Sequence, residues 1–270
     1  MRPQVLILAG DGINCENETA RAFELAGASA SIRHINEIIS IPSRLLDYDG
    51  LALPGGFSFG DDLGSGQIMA IKIRAKLMNE WNAFIGARRP VIGICNGFQI
   101  LTKLGALPGG QHGRVMALAN NIQGTFINRW VTLEVDEKSP CLWTKNLRSR
   151  QFELPIRHGE GRVVFDESSH LRVLNSLESN GQIPLRYTED VNGSTARIAG
   201  ICDPTGCVFG LMPHPEANVI NLTHPVLGQG TRRFEEGNGL ALFRNAVFYM
   251  KERQRDIPDQ MFLSSPGVLG

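Results

Sequence analysis

Apolar residues arrive along this chain in short continuous runs closed by glycine or proline, alternating with stretches whose apolar positions recur at helical spacing. The first run is Val5-Leu6-Ile7-Leu8-Ala9, ended by Gly10-Asp11-Gly12; residues 4–9 are predicted to form a strand buried on both faces. Residues 17–27 read as a helix, with Ala20, Phe23 and Leu25 as its apolar face and Gly27 placed to stop it. Strands are predicted over 29–35 and 50–53, the second running into Pro54-Gly55-Gly56. One long helix over about 65–86 precedes a strand over 91–95 and a helix over 98–104. Strands alternating with helices through short turns predict a parallel sheet covered on both faces. Sites in such sheets lie at the carboxyl ends of the strands.

The pattern changes near Thr125. Residues 126–135 are β-rich with partial alternation, and short strands are predicted over 163–165, 183–187, 196–201 and 207–212. The second half therefore adds strands, partly antiparallel, to the same domain. Residues 238–251 return to helix, with Leu240, Phe243, Val247 and Met250 on one face. The stretch 224–237 is glycine- and charge-rich and reads as a loop insertion, and 258–270 as a C-terminal tail. The expectation is an α/β fold with a mostly parallel central sheet flanked by helices and additional antiparallel strands in the second half. It forms a single domain over 1–257.

Charge narrows the partners. Lys+Arg and Asp+Glu both number 27 in 270 residues, so no global field favours nucleic acid or an acidic membrane. The five cysteines are odd in number and include no C-x-x-C pair, which argues against a disulfide framework or a zinc knuckle and for a reducing compartment. No segment reaches membrane-spanning length, and the apolar run at 5–9 is short for a signal sequence. A soluble cytoplasmic chain is expected. Cys15, Cys141, Cys202 and Cys207 read as ordinary packing or surface cysteines, and His34, His112, His170 and His224 as solvated or capping residues.

Three stretches carry chemistry. In Val91-Ile92-Gly93-Ile94-Cys95-Asn96-Gly97-Phe98-Gln99, an apolar run meets a cysteine at a strand-to-helix corner. The first N–H groups of a helix favour negative charge, and the thiolate is the nucleophilic form of cysteine. Cys95 is thus a candidate nucleophile, against the alternative of a small buried residue. In Met212-Pro213-His214-Pro215-Glu216, His214 suits a base and Glu216 its orienting carboxylate. The flanking prolines favour an extended segment, in which residues two apart point the same way. Glycines crowd the stretch from Pro54 to Gly66, which suggests backbone N–H groups turned toward an anion or oxyanion. A phosphate loop is excluded by the missing Gly-Lys-Ser/Thr ending, and no clear G-x-G-x-x-G follows a strand.

Gly93-Ile94-Cys95-Asn96-Gly97-Phe98-Gln99 taken with Pro213-His214-Pro215-Glu216 resembles the Cys-His-Glu signature of class I glutamine amidotransferases, a flavodoxin-like fold family. Gly12-Ile13-Asn14-Cys15-Glu16, Gly55-Gly56-Phe57-Ser58-Phe59-Gly60-Asp61-Asp62 and Pro155-Ile156-Arg157-His158-Gly159-Glu160-Gly161-Arg162 are more particularly similar to the glutaminase subunits of phosphoribosylformylglycinamidine synthases. The matches span about residues 4 to 250. The resemblance implies Cys95, His214 and Glu216 as catalytic residues, Gly56 and Asn96 as backbone donors of an oxyanion hole, and Gly55, Gln99, Asn128 and Arg129 on the side of the substrate, L-glutamine. It implies no metal and no cofactor in this chain, with ATP and Mg on a large synthetase subunit and a small third subunit completing the complex. His158 and Glu160 are expected to serve the synthetase-facing surface or a structural turn. Two other readings stand beside this one: another cysteine hydrolase such as a γ-glutamyl peptidase, and a non-catalytic regulatory module on an amidotransferase scaffold.

Overall fold

A computed structural model describes residues 1–109, 115–147 and 149–256. The strands are β1 (Gln4–Ala9), β2 (Ser29–His34), β3 (Gly50–Leu53), β4 (Val91–Ile94), β5 (Met116–Asn120), β6 (Ile127–Val135), β7 (Gln151–His158), β8 (Glu160–Phe165), β9 (Leu185–Tyr187), β10 (Ile198–Cys202) and β11 (Val208–Leu211). The helices are α1 (Glu16–Ala26), α2 (Ile35–Ser40), α3 (Gln67–Lys76), α4 (Met78–Gly86), α5 (Asn96–Leu104), α6 (His170–Ser179) and α7 (Leu240–Asp256). Nine strands form one sheet in the order β2-β1-β3-β4-β11-β10-β9-β6-β7, and β5 pairs with β8 in a separate two-stranded sheet.

The pairing changes character at β11. From β2 to β11 neighbouring strands are parallel; from β11 to β7 they are antiparallel. The α/β expectation, with parallel strands first and antiparallel strands added by the second half, is met. The continuous apolar runs explain the parallel half: all four residues of β3, of β4 and of β11 are buried, as strands covered on both faces require. Leu240, Phe243, Val247 and Met250 are all buried on α7, as the helical spacing predicted.

Several local expectations are corrected. The long helix over 65–86 is two helices, broken at Leu77, whose backbone leaves the helical region (φ −129°, ψ 10°) while its side chain is buried. Leu25 is only half-buried; α1 buries Thr19, Ala20, Ala22 and Phe23 instead. Helices α2 and α6 and strands β5 and β7 were not anticipated. Pro155 disguises β7, but the strand tolerates it because it stands at the end of the sheet order, paired among the described residues through β6 alone. Within 224–237 the chain makes two short 3-10 turns, at Leu227–Gln229 and Thr231–Phe234. The expected tail over 258–270 lies outside the described residues, as does His112. Among the described residues, no helix is long and apolar enough to cross a membrane.

What places the site is the pairing of β4 with β11. These strands run parallel with Ile94 opposite Leu211, and the Cys95 N–H donates to the Leu211 carbonyl at 2.8 Å. Their carboxyl ends are therefore neighbours, although the residues that follow them are more than a hundred positions apart in sequence.

Candidate active site

Cys95 stands between β4 and α5 with φ 52° and ψ −103°, a positive φ that a residue with a Cβ rarely adopts. The corner is tight because Gly97 packs directly on β3: a Cβ there would lie 1.9 Å from the Leu53 carbonyl oxygen. Asn96 opens α5, where a helix leaves its first N–H groups without an intrahelical acceptor. The Cys95 thiol lies 3.7 Å from the Arg157 carbonyl, to which it donates, so the end of β7 passes over the cysteine.

His214 follows β11. Its backbone N–H donates to Pro155 at 2.9 Å, tying this corner also to β7. Its Nδ1 lies 2.6 Å from Glu216 Oε1, and both side chains are almost wholly buried. The local conformation differs from the extended one expected. Pro215 begins a 3-10 turn over Pro215–Asn218, because its fixed φ and missing N–H suit the first position of a helical turn. The turn still brings Glu216 to the imidazole. Burial, the largest single influence on the His214 ring, disfavours its charge; Glu216 and the thiols of Cys15 and Cys95 outweigh this and raise its pKa well above the usual range. A neutral His214 hydrogen-bonded to an ionised Glu216 carries its proton on Nδ1 and presents Nε2 as a lone pair. That atom is buried and has no partner among the described residues.

A cavity of about 310 Å³ opens beside Cys95, lined among others by Gly56, Gln99, Arg157, His158 and Glu160. This is the lower end of the range for small-molecule sites. Gln99 and Asn96 belong to one hydrogen-bonded network. Asn96 Nδ2 donates to Gln99 Oε1 at 2.9 Å and to Asp61 Oδ1 at 3.3 Å, and Gln99 Nε2 donates to the Glu160 carbonyl at 2.6 Å. Ser65 donates to Glu160 Oε2 at 2.9 Å and to Asp61 Oδ2 at 3.3 Å. Burial pushes the Asp61 carboxyl up, against the hydrogen bonds from Gly66, Ser65 and Asn96.

The structure thus gathers Cys95, His214, Glu216, Gly56, Asn96 and Gln99. Gly55 packs against the ring of His214, where a Cβ would stand 2.8 Å from Cε1, without lining the cavity; its carbonyl accepts from the N–H groups of Asn14 (3.3 Å) and Cys15 (3.2 Å). Asn128 and Arg129 are not brought to the site. Asn128 is exposed, and Arg129 pairs with Glu189 at 3.0 Å on an exposed part of β6. The β7 residue opposite Asn128 is Arg157, and it is β7 that reaches the cavity. His158, at the end of β7, and Glu160, at the start of β8, line the cavity as well. Sequence reasoning also missed Cys15, which sits against His214. The only sequence signal for it was its place in the Gly12-to-Glu16 segment.

Residues 2–250 match the family described as the CobB/CobQ-like glutamine amidotransferase domain, and this sets the class. A phosphoribosylformylglycinamidine synthase subunit PurQ from Methanococcus maripaludis is 40% identical, the alignment covering 93% of this chain and 98% of that protein. The protein of the same name from Dehalococcoides mccartyi is also 40% identical, over 92% of this chain and 98% of its own. Among solved structures, PurLQS from Thermotoga maritima includes a chain that superposes with a TM-score of 0.71 at 32% identity, covering 93% of this chain and all of that one. This chain belongs to the glutamine amidotransferases, within the PurQ family of phosphoribosylformylglycinamidine synthase subunits.

Proposed function

We propose that this protein is the glutaminase subunit of a phosphoribosylformylglycinamidine synthase, releasing ammonia from L-glutamine through Cys95, His214 and Glu216. The observation that carries the reading is the placement of Cys95 and the buried His214–Glu216 pair at adjacent ends of β4 and β11. Glutamine enters the cavity with its carboxamide at Cys95, and Gln99 helps to hold it. Cys95 Sγ attacks the amide carbon as His214 Nε2 takes the thiol proton. The oxyanion forms against the N–H groups of Gly56 and Asn96, each such donor being worth about 3 kcal/mol in a transition state. His214 returns the proton to the departing nitrogen, ammonia leaves, and a γ-glutamyl thioester remains. The same nitrogen then deprotonates a water, which attacks the thioester to give glutamate and restore the thiol.

The relatives' name and the PurLQS assembly support ammonia passing to a large synthetase subunit, with a small third subunit in the complex. That synthetase would use ATP and Mg to convert formylglycinamide ribonucleotide to the amidine. On this reading the chain needs no cofactor of its own, works in the cytoplasm, and forms one amidotransferase domain over 1–257.

The test is reconstitution with the synthetase and third subunit, supplying glutamine or ammonia as nitrogen source. Cys95→Ala should lose glutamine-dependent product formation and keep the ammonia-dependent rate. Glutamine-dependent turnover that survives the substitution would overturn the assignment of Cys95. Ammonia-dependent activity that gains nothing from wild-type chain and glutamine would overturn the amidotransferase role.

A further inference from the structure

Cys15 is a second thiol at the catalytic histidine, and nothing in the proposed reaction uses it. The loop between β1 and α1 carries it there: the Cys15 N–H donates to the Gly55 carbonyl, and the Cys15 carbonyl accepts from Thr19 Oγ1 at 2.7 Å. Cys15 Sγ and Nδ1 of His214 face the same side of Gly55, lying 3.3 and 3.4 Å from where a Cβ on that glycine would stand. One ligand atom each from Cys15, His214 and Glu216 lie within 4.8 Å of one another. Asn14 Oδ1 stands 3.3 Å from the Cys15 sulfur and brings a further oxygen. In addition, Glu216 Oε2 is buried and has no hydrogen-bond partner among the described residues. Cys15 itself is only half-buried, so the cluster can be reached from solvent.

We propose that Cys15, His214 and Glu216 form an inhibitory site for a thiophilic divalent cation of the Zn2+ type. Sulfur, imidazole nitrogen and carboxylate oxygen are the donors such an ion takes, in a small coordination shell that Asn14 or water completes. Binding replaces the thiol proton of Cys15, which passes to solvent, with a sulfur–metal bond, so affinity rises with pH. The metal takes His214 through Nδ1, the nitrogen that faces Glu216. A neutral imidazole bound at Nδ1 carries its proton on Nε2, and so offers Cys95 a donor instead of a lone pair. The cation therefore stops the reaction by reversing the tautomer of the base, with the nucleophile left intact. The inhibitory consequence rests on the catalytic role proposed for His214; the metal site itself does not.

The two are separated by two measurements on the full-length chain. Co2+ added to the wild type and to Cys95→Ala should give the absorption of a thiolate–cobalt bond, and Cys15→Ser should lack it. A band that persists in Cys15→Ser, or that vanishes in Cys95→Ala, overturns the site. Zn2+ should suppress glutamine-dependent turnover of the reconstituted complex, reversibly on adding a chelator. With each variant normalised to its own metal-free rate, Cys15→Ser should raise the half-inhibitory Zn2+ concentration at least about tenfold, since losing even an outer partner that only orients a metal ligand costs about 10- to 100-fold in affinity. An unchanged half-inhibitory concentration overturns the inhibitory role. If Cys95→Ala keeps glutaminase activity, the catalytic reading fails while the cobalt result still decides the site.

Discussion

Phe57 donates its backbone N–H to the carbonyl of Gly12 at 2.8 Å, and Gly12 approaches so closely that a Cβ would stand 2.1 Å from the Phe57 carbonyl oxygen. The contact is one of a set. Phe59 donates to Asp11 at 2.6 Å, Asn14 and Cys15 both donate to Gly55, and Ile13 and Gly56 form an isolated bridge. The loop after β1 is thus a splint for the loop after β3, which carries the candidate oxyanion donor Gly56.

Gly12→Ala should therefore damage catalysis from outside the cavity. Gly12 has φ 83°, which costs a residue with a Cβ about 1–2 kcal/mol before the clash with Phe57 is counted. Relief requires the loops to part, which moves Gly56 away from the reacting carbon. Displacing one oxyanion donor costs about 100-fold or more in kcat. Steady-state glutaminase kinetics in the complex should show a fall in kcat larger than any change in KM, with the melting temperature lowered. Full kcat with a lowered melting temperature would confine the splint to a structural role.

Asn96 holds the same loop from the other side. Its Oδ1 accepts the buried Ser58 N–H at 3.2 Å, while its Nδ2 donates to Gln99. Asn96→Ala leaves Ser58 with a buried donor unpaired, a loss of about 1–3 kcal/mol. Urea unfolding should show the midpoint shifted with the slope unchanged. KM for glutamine should rise, because Gln99 loses the neighbour that orients it. An unaltered midpoint would mean that the Ser58 N–H has found water.

How much of this was legible in the sequence follows from what each feature depends on. The corner at Cys95 was readable because an apolar run meeting Cys-Asn-Gly states a local geometry, strand then tight turn then helix. The parallel half of the sheet was readable for the same reason. The neighbourhood of β7 was not. Arg157, His158 and Glu160 reach the cavity only because β7 pairs with β6 and its end crosses Cys95, and that is a long-range register no local pattern states. Asn128 and Arg129 were expected at the site from β6, the neighbour of the strand whose end lines the cavity. Cys15 was hidden likewise, its contact with His214 joining the first loop of the chain to one near residue 214.

His158 sets a limit on acid stability. Asn121 Nδ2 donates to the carbonyls of His158 (2.8 Å) and Thr125 (2.9 Å), which leaves Oδ1 facing His158 Nδ1 at 3.0 Å as an acceptor. The ring therefore carries its proton on Nδ1 and is neutral. Burial first, and the nearby His214 second, lower its pKa from 6.5 to about 4. In that interval the unfolded chain binds a proton that the folded chain does not, so stability falls as pH drops below 6.5. Between pH 7 and pH 5 the loss is about 2 kcal/mol. Denaturant titrations at the two pH values should show the wild type losing about 2 kcal/mol more than His158→Gln, the variant cancelling the contributions of other groups such as His214. Equal losses would show that His158 is not the group titrating.

Glu216→Gln isolates the orienting role from the packing. Glutamine has nearly the shape of glutamate and fills the same buried place, so the fold should be kept, with the melting temperature lowered by the loss of the buried pairing with His214. Its amide can turn its N–H2 toward His214, which then holds its proton on Nε2, the wrong nitrogen for a base. Neutralising the equivalent carboxylate of a serine-protease triad costs about 10⁴-fold in kcat, and a loss of about 10³- to 10⁴-fold is expected here. The pH profile supplies the sign. Glu216 is among the groups that raise the His214 pKa, so its removal should move the His214 limb of kcat/KM toward lower pH. Ammonia-dependent synthesis in the same complex should be unaffected, since it bypasses the triad. A kcat within about threefold of wild type, with the limb unmoved, would mean that Glu216 only fills space, and the base would then owe its tautomer to another neighbour.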